Sequence, residues 1–158
     1  MKIVADSSPL IGFAILDRLD LLTLIFSEIY IPQAVLAEVS IWNKPYSPEL
    51  KAFSMNRLKY VRDRVKVRKL MNDVDYGEAE AIALCLENGI RDILLDDPKG
   101  RKIARSERLC PIGTIGVLLE AKKSGHISHI KPCLDKLIAN RIRIGKNLYR
   151  KALELVNE

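Results

Sequence analysis

The chain has 158 residues, 48% of them hydrophobic and 29% charged, with a formal net charge of +6. That length suits one domain burying about two-thirds of its unfolded surface, and the composition is ordinary for a soluble globular protein. No apolar run approaches the roughly 18 residues of a membrane-spanning helix, and an Asp interrupts KIVADSSPLIGF at the N-terminus, so no membrane span or export signal is expected and the expected location is cytoplasmic.

KIVAD (2–6) is a short apolar run with an acidic end and predicts a first strand. Ser8 before Pro9 fits an N-cap followed by proline at the first helical position. Leu10, Phe13, Ala14 and Leu16 give the following helix its apolar face. Asp20 is placed to cap a short helix, LLTLIF. EIYIP (28–32) predicts a second strand, and Pro32 opens a helix through QAVLAEVSIW with Val35, Leu36 and Val39 on its apolar side. From Asn43 to about Tyr76 the pattern is weaker. SPELKAFSMN has a cap and helical spacing, while LKYVRDRVKV alternates as an extended segment.

YGEAEAIALCLENG reads as a helix from about Gly77, stopped by Asn88-Gly89. ILLDD (93–97) follows as a strand of buried type that ends in two carboxylates. Pro98 opens the helix PKGRKIARSE. CPIGTIGVLLEAKKSGHI holds a short strand or turn and a helix ending near Gly125, and two more helices are expected around 131–139 and 146–156. The stripe Leu148, Ala152 and Leu155 on the last suits either packing onto the domain or a dimer contact. Strands alternating with helices predict an α/β domain with a mostly parallel sheet, residues 1–158 forming one unit.

Cys85, Cys110 and Cys133 lack CxxC spacing and are read as reduced, mostly buried small hydrophobes. His126 and His129 lie among Gly and Ser, in a turn. The chemistry therefore falls on carboxylates. In parallel α/β sheets ligands bind beyond the carboxyl ends of the strands, where Asp6 and Asp96 both sit. Glu78 and Glu80 are about 200° apart around a helix and cannot face one site together. Glu78 borders the apolar arc of Ala79, Ile82 and Leu86 and is expected to look inward; Glu80 falls near Glu87, on the expected solvent side. The choice between the two as a site acid stays open on sequence. Glu38 borders a stripe made by Val35 and Ile41. Asp97, just before Pro98, is explained by capping, which leaves Asp96 for a site with Asp97 as an outer partner.

Asp6, Glu38, Glu78 and Asp96 converging at strand ends would repel unless compensated, and all-oxygen ligands suit a hard cation, Mg²⁺ or Mn²⁺. Such an ion generates a nucleophile and neutralises a phosphodiester. The basic runs RDRVKVRK (62–69), KGRKIARSER (99–108) and NRIRIGKNLYRK (140–151) favour a polyanion. Lys99, Arg101, Lys102 and Arg105 are the cations expected to steady its backbone, and Ser7 offers a hydroxyl near the acids.

VADSSPLI, IPQAVLAEV and GEAEAIALCLENGIRDILLDD together resemble the PIN-domain family, metal-dependent ribonucleases that include VapC-type toxins. GEAEAIALC, LLDDPKGRKIA and GTIGVLL are similar to a subgroup of small prokaryotic PIN proteins. The resemblance implies a three-layer α/β/α sandwich around a mostly parallel sheet of about five strands. It further implies an RNA substrate, Asp6, Glu38, Glu78 and Asp96 as the Mg²⁺ or Mn²⁺ ligands, a homodimer, and a small antitoxin as partner. Two departures stand out: Leu94 and Leu95 occupy a stretch where many PIN nucleases carry Thr or Ser, and the third acid is Glu rather than the commoner Asp. They frame a second expectation, a weak or inactive PIN-like module that binds RNA or protein.

Overall fold

Parallel pairing dominates the computed structural model, which describes residues 1–41 and 43–158. Its strands are β1 (Lys2–Ala5), β2 (Glu28–Pro32), β3 (Leu58–Lys59), β4 (Asp92–Leu94) and β5 (Cys110–Ile112). They form one all-parallel sheet in the order β3-β2-β1-β4-β5. Among the described residues ten helices connect and flank it: α1 (Ser7–Ile15), α2 (Asp20–Ile25), α3 (Gln33–Ser40), α4 (Ser47–Met55), α5 (Arg64–Leu70), α6 (Tyr76–Asn88), α7 (Pro98–Ser106), α8 (Thr114–Lys123), α9 (Lys131–Ala139) and α10 (Lys146–Leu155). None is long and apolar enough to cross a membrane.

Alternation along the strands builds two cores. Ile3, Ala5, Ile29, Ile31 and Leu94 point to one face, against Leu10 and Phe13 of α1, Val117 and Leu118 of α8 and Leu134 of α9. Val4 and Ile93, with Leu95 just beyond β4, point to the other, against Val67 of α5, Ile82 and Leu84 of α6 and Ala104 of α7. This is the three-layer α/β/α sandwich that the family resemblance implies.

The register sets up the site. Ala5 pairs with Leu94, and the Asp6 N–H donates to the Leu94 carbonyl at 2.9 Å. Asp6 and Asp96 therefore leave neighbouring strands at the same end of the sheet. The chain runs outward from β1 to β2 and β3, then returns to β4 on the other side of β1. The reversal makes β1/β4 the switch point beyond which α/β sheets bind ligands.

Several local expectations change. α1 begins at Ser7 with Asp6 as N-cap, so Ser8 caps nothing and Pro9 is the third helical residue; its missing N–H is still harmless in the first turn. Asp20 is the first residue of α2 rather than its cap, and bonds Arg18 instead. RVKV, expected to be extended, lies in α5, because the Asp63 side chain caps the Lys66 N–H at 3.0 Å and the turn buries Val67 and Leu70. The predicted reach of the third helix to Trp42 lies outside the described residues; α3 closes at Ser40. Leu148 and Leu155 are exposed, while Ala152 is buried, with Tyr149, Leu153 and Val156 packed against the core. The inward face of α10 is thus rotated from the predicted stripe. Cys85 is buried as expected, but Cys110 is exposed on the edge strand.

Candidate metal centre

Helix N-termini gather where the strands end, and each brings an acid or touches one. Asp6 is the N-cap of α1, Asp75 of α6 and Asp97 of α7. The Asp75 side chain accepts from the Glu78 N–H at 2.8 Å, and Asp97 from the Gly100 N–H at 2.9 Å. Asp96 takes two bonds from the first residue of α8, with Thr114 N–H at 2.7 Å and Thr114 Oγ1 at 2.6 Å. The positive ends of these helices offset part of the negative charge.

The four predicted acids meet here. Asp6 is only 5% exposed and Glu78 6%. Burial first, then the charges of Asp75, Glu38 and Asp96, push the Asp6 carboxyl up to about 7. Glu78 is also raised, by burial and a hydrogen bond shared with Asp75, then by the charges of Asp75, Asp6 and Asp97. Glu38 enters from α3: a methyl group placed on Gly77 would come within 2.5 Å of its Oε1 and 3.5 Å of Asp6 Oδ1. Its other oxygen accepts from Ser7 Oγ at 2.5 Å, so the Ser7 hydroxyl is engaged with an acid. Glu78 Oε2 reaches toward α7, where a methyl on Gly100 would overlap it.

Two atoms test whether a cation fits. Asp6 Oδ1 and Glu78 Oε2 are buried and have no hydrogen-bond partner. Buried carboxylate oxygens without partners are costly, and an all-oxygen donor set is what Mg²⁺ and Mn²⁺ take. The residues fit such an ion in chemistry and burial. Among the described residues no three of these groups already form a set of metal ligands. Glu38 leans on Ser7 and Asp96 on Thr114, so closing them on one ion takes side-chain rotation.

Of the predicted cations, Arg101 is the one fixed at the site. Its Nη1 donates to the Leu95 carbonyl at 2.9 Å, close enough to Asp96 to feel its charge. Lys99, Lys102 and Arg105 are exposed along α7. The clefts at the β3 edge, lined by Tyr30 and Lys59, contain none of the acids.

Glu80 corrects the sequence reading. It is 1% exposed rather than solvent-facing. One oxygen accepts from the Ala34 N–H at 2.8 Å and the other pairs with Arg64 Nη1. The first turns of α6 are buried nearly all round, by α3 and α5 as well as the sheet, so a one-sided apolar arc was the wrong template; Leu86, placed inside that arc, is 37% exposed. Glu80 points away from Glu78, as their spacing requires. Two further participants were missed. Asp75 stands three residues before Glu78, and D-x-x-E is a capping-box signal that would have located it. Thr114 opens a helix after a strand, the position from which it reaches Asp96.

A family model described as a PIN domain matches residues 2–158. No curated protein and no solved structure matches the chain.

Proposed function

The chain belongs to the PIN-domain family, and on that premise we propose that it is a Mg²⁺- or Mn²⁺-dependent endoribonuclease, the toxin of a toxin–antitoxin pair acting in the cytoplasm. The observation that carries the reading is the pair of buried, unpartnered oxygens on Asp6 and Glu78 within a cluster of carboxylates. Asp6, Glu38, Glu78 and Asp96 would hold the ion, with Asp97 outside them. When bound, the ion supplies positive charge against the phosphodiester and activates water for attack on phosphorus. Ser7 orients Glu38, and Thr114 orients Asp96 through two bonds. Arg101 receives a phosphate beside Asp96, and Lys99, Lys102 and Arg105 carry the RNA backbone along α7. Exposed Leu148 and Leu155 on α10, with Ile138 on α9, offer apolar surface for a homodimer or for a small antitoxin.

RNA cleavage in Mn²⁺ tests the reading. Asp6→Asn and Asp96→Asn are each expected to lose about 10²-fold or more in rate, equivalent to several kcal/mol of charge stabilisation. EDTA is expected to abolish cleavage by the wild type. Equal rates in all three proteins would mean that the acids do no chemistry. A second reading, a module that binds RNA without cutting it, is favoured by one contact: Thr114 already engages both oxygens of Asp96. Salt-sensitive RNA binding without Mn²⁺ uptake would select it.

A further inference from the structure

Where α6 meets α3 and α5, three side chains form a relay. Glu80 anchors it: a buried carboxylate held by the Ala34 N–H of α3 and paired with Arg64 of α5. Arg64 passes the restraint outward, its Nη2 donating to the Tyr76 hydroxyl at 2.7 Å. Tyr76 lies one turn before Glu80 on α6 and is 47% exposed. The guanidinium carbon is 5.8 Å from the ring centroid, at the outer limit of a cation–π contact. Its bond to the hydroxyl holds the guanidinium beside the ring.

Fixing an exposed tyrosine and a long arginine costs side-chain entropy, and neither side chain contributes to the core. Their position gives the restraint a use. Tyr76 lies between Asp75 and Gly77, at the rim of the acid cluster. Glu78 leans toward α7 at Gly100, whereas Tyr76 and Glu80 face α5 and α3. The relay and the cations of α7 thus come to the acid cluster from different elements. A flat ring held rigid beside a guanidinium binds an unpaired base by stacking and an adjacent phosphate by charge. Arg64 has five N–H donors, and the bonds to Glu80 and Tyr76 leave others for a phosphate.

We propose that Tyr76 and Arg64 form a nucleobase subsite, in which an unpaired base stacks on Tyr76, Arg64 meets its phosphate, and Glu80 is the positioning residue that holds both. The proposal rests on the nuclease reading for the identity of the polyanion. Its test does not depend on the metal. Fluorescence anisotropy with a labelled, unstructured single-stranded oligoribonucleotide is run at low salt in EDTA, beside the corresponding duplex. Tyr76→Leu keeps apolar bulk but removes the aromatic face, and is expected to weaken single-strand binding roughly 5- to 150-fold. Tyr76→Phe keeps the aromatic face but loses the bond to Arg64, and is expected to bind between the wild type and Tyr76→Leu, while duplex affinity is expected to be the same in all three. Mn²⁺ affinity, measured by calorimetry, is expected to be unchanged in Tyr76→Leu. Wild-type single-strand affinity in Tyr76→Leu, an equal loss on the duplex, or a loss of Mn²⁺ binding would each overturn the subsite. Because the base contact is read in EDTA, it can fail while Mn²⁺-dependent cleavage stands, and the reverse.

Discussion

At about pH 8 and without divalent metal, Asp6→Asn melts above the wild type by about 5–15 °C, corresponding to roughly 2–4 kcal/mol. The direction is opposite to that of most substitutions at buried polar sites. It follows from the proton balance at Asp6. Folding raises this carboxyl from 3.8 to about 7, through burial and through neighbouring acids. Below the unfolded value both states are protonated and the group costs nothing. Between 3.8 and about 7 the unfolded chain loses its proton while the native chain keeps it, so stability falls as pH rises. Above that window the native state carries the full cost of a buried, repelled charge. Asparagine removes the cost. The advantage of Asp6→Asn is therefore complete above neutrality and fades on acidification toward the unfolded value. Saturating Mn²⁺ reverses the order, since it stabilises only the protein that binds it. Differential scanning fluorimetry across this pH range, in EDTA and in Mn²⁺, reads every arm. An Asp6→Asn protein less stable than wild type in EDTA at alkaline pH would show that no such cost exists.

The second large effect separates stability from function at a residue with no side chain. Gly77→Ala is expected to leave the melting temperature unchanged or raised, by at most about 1 kcal/mol of helix propensity. Metal affinity is expected to fall about 10- to 100-fold. The atoms nearest the added methyl group belong to carboxylates: Glu38 Oε1 at 2.5 Å, Glu38 Cδ at 3.4 Å and Asp6 Oδ1 at 3.5 Å. Glu38 is flexible and can swing away at little cost to the fold, but it then leaves both the Ser7 hydroxyl and the ion. Gly100→Ala acts likewise on Glu78, with added pressure on Leu95 Cδ2 at 3.3 Å. Thermal melts paired with Mn²⁺ calorimetry test this. Wild-type Mn²⁺ affinity in the Gly77→Ala variant would place Glu38 outside the site.

The α/β alternation and the placement of Asp6 and Asp96 were readable from the sequence because they rest on periodicity and on signals at strand ends, whereas the three layers and Glu38 came with the family resemblance. EIYIP and the turn at Gly89 announce themselves locally, and Asp97 was separated from Asp96 by Pro98 alone. What failed depends on packing between elements. Glu80 carries the pattern of a surface residue, and only the approach of α3 and α5 buries it. RVKV alternates like a strand, yet the cap at Asp63 turns it into a helix. Thr114 comes to Asp96 from a different strand–helix junction, which no spacing within ILLDD could reveal. Leu94 and Leu95 now have plain roles in the two cores. The hydroxyl missing from that stretch is supplied to Asp96 by Thr114.

The most direct test of the acid cluster as a metal site is Mn²⁺ calorimetry in buffers of different ionisation enthalpy, which counts the protons released on binding. Ligand carboxylates must be deprotonated to bind, and burial leaves Asp6 and Glu78 holding protons near neutrality. The expected result is binding to the wild type with proton release that is larger at about pH 6 than at about pH 9, and no comparable binding to Asp6→Asn. Absence of Mn²⁺ binding by the wild type, or binding without proton release that survives in Asp6→Asn, would contradict it.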